Sequence, residues 1–377
     1  MKHLPRTVLF VFGAVLLVGE AHAAGISPEV HQDGRVTFRV RAPKADKVLL
    51  LGDWLKRADE LPMTKGDDGV WTSTAGPFPP GNHIYGFEID GVQTPDPENA
   101  SVKLRASRSG SYFHIPGEAL WEPRDVPHGN VDINFHHSKT LGDTRWFSVY
   151  TPPGYEKHTD KRYPVLYLLH GSNDTPIGWV MIGAANFIMD NLIADGDARE
   201  FIVVMPFGHA VPHGSPPELQ RTNNQKFEAY LLDDVLPLVE SKYRVLTTPR
   251  DRAIAGLSMG GGQAIAIGLN NLDRFSTIGS FSGAVPSGAP ERIGEILSDA
   301  KSVNDALNLF WIGCGRDDFL LDRNVAFAKL LKDKGVDHEF HLTDGVHNYH
   351  VWRQYFATLA PKLFRETATP ARNRPRP

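Results

Sequence analysis

Apolar and polar positions along the chain follow three rhythms. Between about residues 26 and 117 they alternate with a period of two. Val36, Phe38 and Val40 point one way and Thr37 and Arg39 the other, as in a half-buried strand. Val48-Leu49-Leu50-Leu51 follows, closed by Gly52-Asp53, and Val70-Trp71-Thr72-Ser73 and His83 to Ile89 are further strand candidates. Turn signals stand at Asp90-Gly91 and Pro95-Asp96-Pro97. Short strands broken by turns, with no helical stretch among them, predict an immunoglobulin-like β-sandwich over 26–117.

From about residue 129 the rhythm changes. Val131 to Phe135 and Arg145 to Tyr150 predict an antiparallel pair turning at Gly142-Asp143. Near-continuous apolar runs come next: Val165 to Leu169, Phe201 to Met205, Ala253 to Ala255, Thr277 to Phe281 and Leu307 to Ile312. Strands covered on both faces read this way, which predicts a mostly parallel sheet between helices. Helices are expected over Asn186 to Ala194, Phe227 to Tyr243 and Asn324 to Lys334. Strands alternating with helices predict an open α/β domain over 129–366. The proline-bearing segment 118–128 reads as a short stiff linker, and 367–377 as a disordered tail.

The third rhythm is the unbroken apolar run Val8 to Val18. Lys2 and Arg6 precede it and Ala21-His22-Ala23 follows, so residues 1–23 read as a signal peptide cleaved after Ala23. The expected location is therefore the bacterial periplasm or the extracellular medium, with no membrane association after cleavage. Composition adds only exclusions. A net charge of −4 over 377 residues gives no footprint for nucleic acid. The single cysteine, Cys314, excludes an intramolecular disulfide and any cysteine-based zinc site, and it falls in a core strand.

Candidate chemistry centres on Gly256-Leu257-Ser258-Met259-Gly260, which follows one of the apolar runs and precedes a helix-compatible stretch. Strand, G-x-S-x-G, helix is the context of a nucleophile elbow: the turn is tight enough to demand glycine on both sides and lifts the Ser258 hydroxyl off the sheet. A serine hydroxyl needs a base, and the base needs an orienting acid. Asp317-Asp318 ends the strand candidate Asn308 to Cys314, and Asp318 is the preferred acid with Asp317 the alternative. The loop after Glu339 to Thr343 carries His347, the expected base, with His350 as fallback. Two backbone donors must face the developing oxyanion; Met259 N–H is one and Ser172 N–H, in the loop after Leu169, the other. His170 is expected to hold that loop, and Gly171 lets its backbone approach the substrate. No metal or other cofactor is called for by this chemistry.

The second domain resembles the esterase D superfamily and, within it, carbohydrate esterase family 1, which includes feruloyl and acetylxylan esterases. The matching stretches are Tyr150 to Tyr155, Tyr163 to Gly171, Trp179, Asp234-Val235-Leu236-Pro237, Tyr243-Arg244-Val245, Arg252 to Gly261, Phe281-Ser282-Gly283, and His347 with Val351-Trp352. The resemblance implies an α/β-hydrolase fold and a metal-free acyl-enzyme hydrolysis through Ser258, His347 and Asp318, with Trp179 and Gly171 as candidate substrate contacts. One departure is that Ser172-Asn173-Asp174 stands where the family often carries another glycine after His-Gly-x. Residues 207–226 are expected to loop over the acyl or leaving-group pocket.

The first domain resembles early-set sandwiches and family 48 carbohydrate-binding modules, on Val36 to Pro43, Gly52-Asp53-Trp54, Gly69-Val70-Trp71 and Tyr85 to Gly91 with Asp96-Pro97. Trp54, Trp71 and Tyr85 are its candidate sugar-facing rings. Together the two resemblances imply a serine esterase acting on acylated plant polysaccharide or its oligosaccharides, releasing ferulate from arabinoxylan, and the leader pattern makes it an exported one. An acetylxylan esterase, a siderophore (enterochelin-type) esterase and a non-catalytic polysaccharide-binding protein are the alternatives.

Overall fold

Two antiparallel sheets form the first layer pair of the computed structural model, which describes residues 26–284 and 291–365. The segments read as leader (1–23) and tail (367–377) lie outside those residues. One sheet runs Glu29–Val30, Val36–Arg41, Val70–Ala75, Thr64–Lys65; the other runs Leu61–Pro62, Val48–Gly52, Gly81–Ile89, Gly110–Ile115, Val102–Lys103. Their inner faces enclose Phe38, Phe87, Phe113, Trp71 and Tyr85. Two of the three candidate rings are therefore core, and the third, Trp54, is half-buried against it. Trp71 is buried with its Nε1 donating to Ala42 O, and Tyr85 is buried with its hydroxyl donating to Asp96. Trp54 packs against Phe38, Phe78 and Phe113. Each is held inward because an aromatic face is worth more buried between sheets than wet.

The second layer set is an eight-stranded sheet in the spatial order 130–137, 144–151, 202–206, 165–169, 252–257, 277–281, 309–315, 339–343. The first two strands pair antiparallel and the second joins 202–206 antiparallel; every later pair is parallel. The parallel strands 165–169, 202–206 and 277–281 are buried at every residue, as their apolar runs demand. Helices cover both faces with separate cores, one around Val239, Ile265 and Phe310 and the other around Trp179, Trp311 and Phe356.

The helix expected as one piece over 227–243 is broken into Asn223–Tyr230, a wide π-helical turn Leu231–Val235, and Leu236–Lys242. Pro237, one residue into the last piece, has no N–H to donate to a preceding carbonyl, so a regular ladder cannot pass through it.

The sandwich is not a separate bead. Ile84, from its longest strand, belongs to the same apolar cluster as Trp179, Tyr349 and Trp352 of the second domain. Arg353, fully buried in helix Tyr349–Leu359, donates to Asn82 O across the boundary, and His83 stacks on His350.

Candidate active site

Strand 252–257 ends at Leu257 and helix Met259–Asn270 begins two residues later, so one residue makes the whole turn. Ser258 does so at φ 53°, ψ −117°, a backbone region that costs a non-glycine residue on the order of 1–3 kcal/mol. The flanking glycines are required by close approach: a Cβ on Gly256 would lie 2.6 Å from Gly260 O, and one on Gly260 2.5 Å from His170 O. The turn aims Ser258 Oγ away from the sheet and sets it at the positive end of the helix.

His347 Nε2 lies 2.9 Å from Ser258 Oγ, and His347 Nδ1 lies 2.8 Å from Asp318 Oδ2. The Asp318 side chain is closed to solvent, and its other oxygen accepts from Leu320 N–H at 2.8 Å. Asp317, its neighbour, points outward and pairs with Lys56 of the sandwich at 2.6 Å. Phe319 and Trp352 flank the His347 ring, at centroid distances of 4.4 and 4.8 Å. A serine, an imidazole and a carboxylate are thus joined in one hydrogen-bonded row. His350 lies apart from it: it bonds Gln354 and stacks on His83, and burial lowers its pKa to about 4.

Met259 is the first residue of its helix, so its N–H has no carbonyl within the helix to meet. Gly171 and Ser172 line a cavity of about 160 Å³ together with Ser258 and His347. His170 does not reach the serine. Its Nδ1 donates to Gly171 O and its Nε2 accepts from Gly208 N–H, so it is held as a neutral ring; burial lowers its pKa.

Two expected contacts are corrected. Trp179 is fully buried, donates to Leu169 O at 3.0 Å and packs on Phe281, Tyr349 and Phe356, so it supports the strand below the cavity and touches no substrate space. Residues 207–226 do not line the cavity either. Part of them folds as Pro217–Gln220 and the start of Asn223–Tyr230, and His209 accepts from Asn173 N–H, bracing the loop from behind.

The residues that sequence reasoning missed come from the sandwich. Asp53, Ile84, Lys103 and Arg105 line the cavity opposite Ser258 and His347. Asp53 is tied to the base loop through its carbonyl, which accepts from Asn348 Nδ2 at 3.1 Å. Gly52-Asp53-Trp54 reads in sequence only as a sandwich corner, and no local signal relates it to a histidine in the other domain.

Both Asp53 carboxylate oxygens are shut off from solvent, and among the described residues none meets them in good hydrogen-bond geometry. Burial raises the carboxyl to a pKa of about 6, against the pull of the nearby Ile84 backbone N–H and of Arg353, Arg105 and Lys103. A folded-state pKa above the unfolded value means the native protein binds its proton more tightly. Stability from this group is then present below pH 4 and lost as pH rises toward 6. Asp53→Asn is expected to stabilise the fold at pH 7 by on the order of 2 kcal/mol and to add nothing at pH 4. Urea unfolding of both forms at the two pH values measures this, and an equal difference at both would contradict it.

Residues 138–363 match the family model described as "Putative esterase", and 24–106 match carbohydrate-binding module 48 (isoamylase N-terminal domain). The chain belongs to the Esterase family. It has an α/β-hydrolase fold behind a sandwich of the module 48 type. A curated relative, the endo-1,4-beta-xylanase/feruloyl esterase of Xylanibacter ruminicola, is 33% identical over 348 residues, 90% of this esterase but only 46% of that protein. A solved ferulic acid esterase is 31% identical and covers 63% of this chain and 98% of its own, with a TM-score of 0.56. The enterobactin esterase of Shigella flexneri shares the fold across both domains: TM-score 0.63, 18% identity, 88% of this chain and 94% of that one.

Proposed function

We propose that this esterase is exported and releases ferulate from arabinoxylan through a covalent acyl-enzyme on Ser258. The observation that carries the mechanism is the 2.9 Å and 2.8 Å row from Ser258 Oγ through His347 to Asp318. In that geometry Ser258 Oγ attacks the ester carbonyl carbon and its proton passes to His347 Nε2. The imidazolium is held by Asp318, and the carbonyl oxygen becomes an oxyanion facing the Met259 and Ser172 amides. Collapse breaks the bond to the alcohol, which leaves with the proton from His347. Water then repeats the sequence and frees the acid and Ser258.

Support for the acyl group comes from the two relatives named for ferulate, each above 30% identity. Support for a polysaccharide comes from the module 48 match and from the pairing of xylanase and feruloyl esterase in the Xylanibacter protein. Export rests on the leader pattern of residues 1–23. The ratio of initial rates on methyl ferulate and p-nitrophenyl acetate tests the acyl assignment. Rapid ferulate release is expected; turnover of the acetyl ester alone would replace it with an acetyl esterase.

A further inference from the structure

The loop Gly171 to Thr175, which carries the Ser172 amide, is bound by the sandwich at three consecutive residues, Asn173, Asp174 and Thr175. Lys103 Nζ lies 2.7 Å from Asp174 Oδ1, with the two side chains only 4% and 7% exposed. Asn173 Oδ1 accepts from both Ser107 N–H (2.7 Å) and Ser107 Oγ (2.8 Å), and Ala106 N–H donates to Asn173 O. Thr175 Oγ1 donates to Leu104 O. Among the described residues of its own domain, the loop bonds only Tyr349, whose Oη donates to Asp174 Oδ2, and His209, whose Nε2 accepts from Asn173 N–H, apart from its local turn bonds and the His170 contact to Gly171 O.

Asn173 needs such support. It sits at φ 58°, a left-handed conformation that glycine adopts freely and that asparagine holds at some cost. A side chain here gives the neighbouring domain something to grip: its oxygen receives two hydrogen bonds from Ser107.

Burial of Lys103 and Asp174 rules out a loose surface pair. Burial lowers the Lys103 pKa, while at Asp174 the charge and hydrogen bond of Lys103, with the Thr175 N–H, outweigh burial and hold its carboxyl below the usual value. A buried pair is costly to break because the remaining charge has no partner. That rigidity lies two residues from the amide that must meet the oxyanion.

We infer that segment 103–107 of the sandwich is a positioning element for catalysis, with Lys103 and Ser107 fixing the Ser172 N–H for the transition state. The inference rests on the proposed oxyanion role of Ser172. In this account the sandwich contributes to the chemical step itself, on small esters as well as on any polymer.

The experiment uses the whole chain and two variants, Lys103→Met and Ser107→Ala, on whichever of methyl ferulate and p-nitrophenyl acetate the wild type turns over faster. Ser107 is exposed, so its truncation leaves the fold in place even if loss of Lys103 does not. A misplaced oxyanion donor lowers kcat with little change in KM, and weakens phenylboronic acid, whose serine adduct places an anionic oxygen at the same amides, by a similar factor. Losses on the order of 100-fold for Lys103→Met and 10-fold for Ser107→Ala are expected in both kcat and boronic acid affinity. An unchanged boronic acid affinity in folded variants, or a loss confined to KM, would overturn the inference. Boronic acid binding that survives Ser258→Ala would instead remove the serine reading beneath it.

Discussion

Ser258→Ala is expected to reduce ester turnover at least about a thousandfold while the protein stays folded. The side chain lost is a single oxygen at the mouth of a cavity, so no apolar packing goes with it. The backbone turn that presents it is imposed by Gly256, Gly260 and the strand and helix on either side, and alanine is no larger than serine. With Oγ removed, His347 has no hydroxyl to deprotonate and the two-step route is closed. Residual hydrolysis would come from water attacking an ester still polarised by the amides. Turnover measured with a matched thermal melt separates the chemical loss from unfolding.

The two neighbouring aspartates are expected to differ by about three orders of magnitude. Asp318→Asn should lower kcat on the order of a thousandfold or more. An amide nitrogen facing His347 Nδ1 would donate where the carboxylate accepts. The ring proton would then shift to Nε2, where it blocks uptake of the serine proton. Asp317→Asn should stay within about threefold of wild type, because it removes only an exposed, solvent-screened pair with Lys56. Steady-state kinetics of the two variants decide the assignment. A larger loss in Asp317→Asn would reverse it.

Much of the fold was legible because its signals are local. The buried parallel strands announce themselves as apolar runs: 165–169 and 277–281 have the expected ends, and 202–206 is displaced by one residue. The residues of the proposed catalytic row were legible for a related reason. Each stands where a strand ends, at Ser258, Asp318 and His347, and a parallel sheet brings its strand ends to one edge. What stayed hidden is pairwise and long-range. Lys103 carries no mark that it ends against Asp174, nor Asp53 that it faces the base loop. Aromatic residues were ambiguous for the opposite reason. Trp71 and Tyr85, and equally Trp179, have flat faces that suit a sugar ring and a core alike, and only packing tells the two apart.

That packing also changes how the two domains are understood. Segment 53–57 lies against the base and acid loops, through Asp53 to Asn348, Lys56 to Asp317 and Arg57 over Phe319. Segment 103–107 grips the opposite, oxyanion side. The proposed catalytic row therefore lies in a cleft with one wall from each domain. A further cavity of about 270 Å³ within the sandwich shares Asp53, Ile84 and Arg105 with it.

The most direct test of the central claim is the site at which a fluorophosphonate, which traps activated serines, attaches to the intact chain. A single adduct is expected on the peptide containing Ser258, absent in Ser258→Ala and strongly slowed in Asp318→Asn. Labelling at another residue, or none in a preparation that hydrolyses esters, would contradict it.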